Sequence, residues 1–186
     1  MNIPNTITTS RIVLIPVFIA VFYLPYDWAP AAATFVFWFA AITDWFDGYL
    51  ARKLNQQSAI GAFIDPLADK LIVITALLLI LSKNPENNWL LFSSLVIIWR
   101  EILISSLREW MAGMGNGDVV AVSFFGKAKT MAQMLALLFL IYENDIFGLS
   151  IYTFGLWLLV LAAFLTIVSM VVYVKSAWST LSNSDS

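Results

Sequence analysis

Six long apolar runs, separated by short polar breaks, organise this sequence. They fall at roughly Arg11–Tyr26, Ala29–Arg52, Phe63–Leu81, Trp89–Met111, Lys127–Tyr142 and Ser150–Val174. The breaks carry turn chemistry: Pro25-Tyr26-Asp27, Ser82-Lys83-Asn84-Pro85, Gly113-Met114-Gly115-Asn116-Gly117-Asp118 and Glu143-Asn144-Asp145. A helix needs about 20 apolar residues to cross a hydrocarbon core of about 30 Å, and each run reaches or approaches that length. None alternates apolar and polar residues as the strand of a membrane barrel would. The pattern predicts an all-α integral membrane protein with six transmembrane helices. It reads as one membrane domain over residues 1–175, with an interfacial segment at 1–10 and a short, frayed cytoplasmic tail at 176–186.

Composition agrees. Hydrophobic residues make up 61% of the 186 and charged residues only 12%, and the mean hydropathy is +0.85. A soluble domain is about 45–50% apolar and about 25% charged, so this chain could not keep an adequate polar surface in water. The absence of Cys excludes disulfides and thiol chemistry, and the absence of His excludes imidazole ligands and His acid–base work. Any metal must be held by oxygen, which favours hard cations such as magnesium, manganese or calcium. The net charge of −2 says little about partners, and no nucleic-acid partner is expected.

The placement of charge says more. With alternating spans, Arg11, Arg52, Lys53, Lys70, Arg100, Arg108, Lys127, Lys129 and Lys175 fall toward one face and only Lys83 toward the other. By the positive-inside rule both termini are cytoplasmic. Trp28, Trp89, Trp110, Tyr142 and Trp178 lie near span ends, as interfacial aromatics do. Residues 12–24 followed by Ala31-Ala32-Ala33 resemble a signal peptide with its cleavage site. The charged leader is thin, Arg11 alone, and the next span follows at once, so a retained first span is the reading.

Four aspartates break the apolar pattern. Asp44 and Asp47 lie three apart at the cytoplasmic end of the second span, and Asp65 and Asp69 four apart at the start of the third. Each pair shares a helix face, and a short connection around Asn55-Gln56-Gln57-Ser58 brings the pairs to one membrane depth. Pro66 is expected early in the third helix, where its missing N–H costs little. One Asp at the centre of a spanning helix costs about 2.5–3.5 kcal/mol, and four repel one another and tend to take up protons. Arg52, Lys53 and Lys70 could offset part of the charge. Two divalent cations would offset all of it, and a carboxylate-bridged pair is suited to holding phosphate oxygens. Gly48, Ala51 and Gly61 leave room for a group to approach the backbone, and Arg52 can fork onto a phosphate. The plain alternative is a set of solvated or salt-bridged acids, which fits a single Asp better than four at this spacing.

These residues resemble a known signature. Asp44-x2-Asp47-Gly48-x2-Ala51-Arg52-x8-Gly61-x3-Asp65-x3-Asp69 matches, without departure, that of the CDP-alcohol phosphatidyltransferases. The resemblance implies a six-helix membrane fold, usually a homodimer, in which a CDP-linked lipid or alcohol loses CMP to an attacking hydroxyl. It implies that Asp44, Asp47, Asp65 and Asp69 bind two divalent ions, commonly magnesium or manganese, with Asp69 also the base. It implies that Gly48, Arg52 and Ser58 contact the CDP portion. Three further segments, MNIPNTITTSRIVLIP at the start, WREILISSLRE at 99–109 and GKAKT at 126–130, resemble the bacterial branch that forms phosphatidylglycerophosphate. That branch implies CDP-diacylglycerol and sn-glycerol 3-phosphate as substrates, and a multi-pass protein of the bacterial plasma membrane with its site facing the cytoplasm.

The basic residues agree with a phosphorylated acceptor. Arg100 falls well inside the fourth span, where an unpaired guanidinium is expensive, and Arg108 follows about two turns on. Lys127 and Lys129 open the fifth span, where a helix N-terminus favours an anion, and Gly126 allows close approach of the backbone. The alternative is that Arg100 and Arg108 pair with Glu101 and Glu109 while the lysines snorkel to lipid phosphates. Asn5 and Thr8 are candidates for the nucleotide or for capping and turn roles. Other readings remain: inositol phosphate, serine or phosphatidylglycerol as acceptor, an aspartate-rich prenyltransferase, or a cation transporter. The charge disfavours serine, the length and the Gly48/Ala51/Arg52 pattern disfavour a prenyltransferase, and the nearly apolar outer halves of the spans disfavour a transport path.

Overall fold

The computed structural model describes residues 3–54, 59–113 and 124–184, with side chains over 12–43, 67–113, 128–171 and 173–175. Among the described residues are six helices: α1 (Ile3–Phe22), α2 (Ala29–Leu54), α3 (Ala59–Lys83), α4 (Asn88–Gly113), α5 (Phe124–Tyr142) and α6 (Ile151–Ser184). The fold is all-α, and one apolar run underlies each helix.

The boundaries differ from the expected spans where helix continues past the apolar run. α1 takes in the polar stretch before Arg11, because a helix satisfies its own backbone whether or not its side chains are apolar. α6 likewise runs on to Ser184, across the expected tail. α3 begins at Ala59, so Pro66 sits two turns into the helix rather than at its start. There its missing N–H leaves one carbonyl without an intrahelical donor.

Two compact units divide the chain. The first comprises Met1–Lys83 with Leu137–Tyr152 and the second Asn84–Ala136 with Thr153–Ser186. In the first unit α1 packs on α2 and α3, which also touch each other. The stripe that α2 buries is Ala29, Ala33, Phe37 and Ala40, spaced four, four and three as one helical face requires. Its alanines let a neighbouring backbone come close, and Phe37 meets Phe18 of α1 with ring centroids 5.9 Å apart. The face of α3 repeats every four residues through Ala68, Ile72, Ala76 and Ile80, all buried.

One end of this unit is closed by polar contacts. The Tyr23 hydroxyl and Ser82 Oγ are 2.9 Å apart. Lys83 Nζ donates to Glu143 Oε2 at 3.3 Å and lies 4.3 Å from the centre of the Phe22 ring. After α5 the chain reverses tightly: Ile146 and Leu149 exchange backbone hydrogen bonds of 3.2 and 3.0 Å around Phe147 and Gly148, whose φ angles are 52° and 78°. Two successive positive φ values are those of a type I′ turn, which Gly148 adopts without a Cβ penalty.

The second unit buries polar side chains beside apolar ones such as Leu90, Ile97, Met111 and Leu159, and leaves large apolar side chains outside. Ser93, Ser94, Arg100, Lys129, Gln133, Thr166 and Ser169 are buried, while Phe92, Trp99, Leu103, Trp157 and Phe164 are exposed. Thr166 Oγ1 donates to the Ala162 carbonyl at 2.6 Å and Ser169 Oγ to the Thr166 carbonyl at 3.0 Å, so these hydroxyls are satisfied within their own helix. Large apolar side chains on the outside suit a surrounding as apolar as the core itself. α4 and the Ile151–Lys175 part of α6 are each long and apolar enough to cross a bilayer, and shorter apolar stretches occupy Ile12–Phe22, Ala29–Thr43 and Ala128–Tyr142.

A paired substitution tests this distribution. Phe37 is 1% exposed and Phe35, two residues away, is 61% exposed. Phe37→Ala is expected to lower stability by up to about 3–5 kcal/mol, an upper bound because removal from lipid rewards burial less than removal from water. Phe35→Ala is expected to lower the melting temperature in detergent far less, and thermal unfolding of the two variants checks the contrast.

Candidate active site

The aspartate signature lies wholly within the first unit. Asp44, Asp47, Gly48, Ala51 and Arg52 fall on the last turns of α2, and Gly61, Asp65 and Asp69 on the first turns of α3. Helical backbone at both stretches makes Asp44 and Asp47, and separately Asp65 and Asp69, neighbours on one face. The connection at 55–58, with Ser58, lies outside the described residues. So do the side chains of Asp44, Asp47, Ala51, Arg52 and Asp65, and those of Asn5 and Thr8 on α1 and Lys127 on α5. Asp69 is half-buried.

Among the described residues no three carboxylates gather as a metal site would require, and of the four aspartates only Asp69 has a described side chain. The donor chemistry can still be judged. Four carboxylates at i,i+3 and i,i+4 spacing on two contacting helices offer an all-oxygen set without nitrogen or sulfur. That set fits hard divalent cations and not zinc or copper.

The second unit holds a different assembly, centred on Glu101. Arg100 Nη1 donates to Glu101 Oε1 at 3.1 Å, and Lys129 Nζ donates to the same oxygen. The contact joins α4 to α5. Lys129 is 2% exposed and Arg100 8%. An isolated buried ammonium would cost several kcal/mol, so the shared carboxylate is what permits Lys129 to sit there charged.

Arg108 is placed differently. Among the described residues it forms no ion pair. Its Nη2 donates to the Tyr173 hydroxyl at 3.4 Å, and its guanidinium carbon is 5.4 Å from the centre of the Tyr173 ring. The Arg100 guanidinium carbon lies 5.8 Å from the same ring. Both arginine Nε atoms are buried without a hydrogen-bond partner among the described residues, as is Gln133 Oε1. Three cations, Arg100, Arg108 and Lys129, stand against one carboxylate, leaving two positive charges uncompensated among the described side chains. An excess of guanidinium charge with unsatisfied donors suits an anion.

The structure thus brings together Arg100, Arg108 and Lys129 of the sequence-predicted residues. It bears on the alternative to phosphate binding unevenly: Arg100 does pair with Glu101, whereas Glu109 is exposed and makes no ion pair with Arg108. Lys129 is buried against Glu101 and does not snorkel outward. The sequence pattern marks Glu101 only as a possible partner of Arg100 and does not mark Tyr173 at all. A carboxylate well inside an apolar run was a usable signal for Glu101. Tyr173 had none, because its contacts cross 65 residues of chain.

Comparison with known proteins bears on the whole chain. The family model of the CDP-alcohol phosphatidyltransferases matches residues 1–174. A CDP-diacylglycerol–glycerol-3-phosphate 3-phosphatidyltransferase of Yersinia pestis (strain Pestoides F) is 48% identical over 181 residues, 97% of each chain. The protein of that name from Salmonella typhimurium is 47% identical over 176 residues, 95% of this chain and 94% of the relative.

Removing the carboxylate hub has a definite expected cost. Glu101→Leu leaves Lys129 buried beside an uncompensated Arg100 and is expected to lower stability by about 3–5 kcal/mol. Adding Lys129→Met should restore part of the loss. Unfolding of the two variants in detergent checks this, and additive losses would show that the two side chains are not coupled.

Proposed function

Because the chain belongs to the CDP-alcohol phosphatidyltransferase family, we propose that it transfers the phosphatidyl group of CDP-diacylglycerol to sn-glycerol 3-phosphate, forming phosphatidylglycerophosphate and releasing CMP. The observation that carries the choice of a phosphorylated acceptor is the group of buried Arg100 and Lys129 with half-buried Arg108, which among the described side chains has an excess of two positive charges. A phosphate dianion matches that excess; a neutral alcohol or a zwitterionic serine does not. The identity to relatives named for this reaction supports the same choice.

Asp44, Asp47, Asp65 and Asp69 are the residues that would hold metal. Two ions of magnesium or manganese type, when bound, supply grip on the diphosphate and spread its charge. Gly48, Arg52 and Ser58, with Asn5 and Thr8, receive the cytidine diphosphate part of the lipid, and Ala51 and Gly61 keep that approach open. Arg100, Arg108, Lys127 and Lys129 hold the phosphate of the acceptor.

Asp69 takes the proton from the glycerol 1-hydroxyl as its oxygen attacks the phosphorus bearing diacylglycerol. The bond from that phosphorus to the CMP oxygen breaks, and Arg52 receives the phosphate of the departing CMP. A carboxylate of ordinary pKa, about 4, is a weak base, so proton removal and attack proceed together.

The topology belongs to the same reading. Six spans with both termini cytoplasmic put the aspartates and nine of the ten basic residues at the cytoplasmic side. The chain is then one multi-pass domain of a bacterial plasma membrane, with its site facing the cytoplasm. A homodimer is the family's usual state.

Two measurements test these statements. Purified protein should release CMP from CDP-diacylglycerol only with glycerol 3-phosphate and a divalent cation present, and not with inositol phosphate or serine. Asp69→Asn should lower turnover by about 10²–10⁴, and a folded variant keeping more than about a tenth of wild-type turnover contradicts the base assignment. For topology, the absence of native cysteine makes single-cysteine labelling clean. Glu86→Cys should react with an impermeant maleimide in intact cells, and Ser182→Cys only after permeabilisation.

A further inference from the structure

Arg100 and Arg108 are eight residues apart on α4, which separates their Cα atoms by about 12 Å along the helix axis. Their guanidinium carbons nevertheless lie 5.8 and 5.4 Å from the centre of one ring, that of Tyr173 on α6. Arginine carries four side-chain torsions and a large rotamer entropy, so this convergence needs a cause. Like charges do not supply it, and among the described residues Arg108 meets no carboxylate.

Tyr173 supplies it in two ways. Its ring offers a negative face to both cations, and its hydroxyl receives the Arg108 Nη2 donor at 3.4 Å. The ring itself is fixed: Tyr173 is 3% exposed and packs with Ile104, Leu107, Met111 and Met170. Neither Arg100 Nε nor Arg108 Nε is spent on a described partner, so each buried donor still lacks an acceptor.

We propose that Tyr173 is a positioning residue for the phosphorylated acceptor, gathering the Arg100 and Arg108 guanidinium groups about one ring so that both serve the same phosphate. It rests on the acceptor assignment made above. Tyr173 does not touch the reacting atoms; it acts through the two arginines. Without the ring they would part to separate their charges, and the phosphate would have to gather them again at its own expense in binding.

The test uses steady-state kinetics of the full-length enzyme in detergent, with both substrates varied. Tyr173→Leu is expected to raise the KM for glycerol 3-phosphate about tenfold, more than it lowers kcat, with the KM for CDP-diacylglycerol in place. Tyr173→Phe keeps the ring and should return the KM to within about threefold of wild type. Inorganic phosphate, competing with glycerol 3-phosphate, should lose potency in Tyr173→Leu in the same proportion. A merely structural role would move both KM values and kcat together and spare phosphate competition, and that result overturns the proposal. So does an unchanged acceptor KM in Tyr173→Leu. Arg100→Ala and Arg108→Ala separate the two levels. If they raise the acceptor KM while Tyr173→Leu does not, the positioning role alone falls. If they leave it unchanged, the acceptor assignment falls and the positioning role with it.

Discussion

A charge surrounded by hydrocarbon must be met by an opposite charge, and the architecture of this chain follows from that requirement. With about one residue in eight charged, each ionic group has to be answered locally or by a ligand. Lys129 is answered by Glu101, and Arg100 shares the same carboxylate oxygen. Lys83 is answered by Glu143 and by the face of Phe22. Arg108 finds only the ring and hydroxyl of Tyr173 among the described residues. The charges left over are therefore informative. Among the described side chains positive charge exceeds negative around Arg100 and Arg108, and the sequence places four aspartates in the signature of α2 and α3.

The two groups have opposite sign, and so do the ligands of the proposed reaction: on that proposal the aspartates would take cations that carry a diphosphate, and the arginines a phosphate. Small residues appear where a backbone must come close, as at Ala33 and Ala40 in the packed stripe of α2 and at Gly48, Ala51 and Gly61 in the signature. Large aromatics such as Phe92, Trp99, Trp157 and Phe164 lie on the outside, where lipid accepts them at little cost. One helical scaffold thus serves both lipid solvation and charge management.

Legibility in the sequence followed the range of the interaction. Apolar runs are local, and all six helices were legible from them. Their ends were less so, because the polar stretch before Arg11 and the residues after Lys175 continue as helix without an apolar pattern to reveal it. The aspartate signature was legible because its spacing is itself the information. Arg100 stood out as a cation inside an apolar run. Its neighbour Glu101 offers a local partner, but the contact with Lys129, 28 residues on, depends on how α5 meets α4 and leaves no local trace. Tyr173 is the clearest case: one aromatic among the 15% that are Phe, Trp or Tyr, distinguished only by two arginines brought to its ring.

The central claim is that the aspartate quartet exists to hold divalent cations, and equilibrium binding of manganese to the detergent-solubilised protein, followed by electron paramagnetic resonance, tests it most directly. The account predicts about two ions per chain, in line with a carboxylate-bridged pair, with occupancy lost when Asp47 or Asp65 becomes Asn in a protein that still unfolds cooperatively. Wild-type protein that binds no manganese with CDP-diacylglycerol present, or variants that bind it undiminished, would contradict the account.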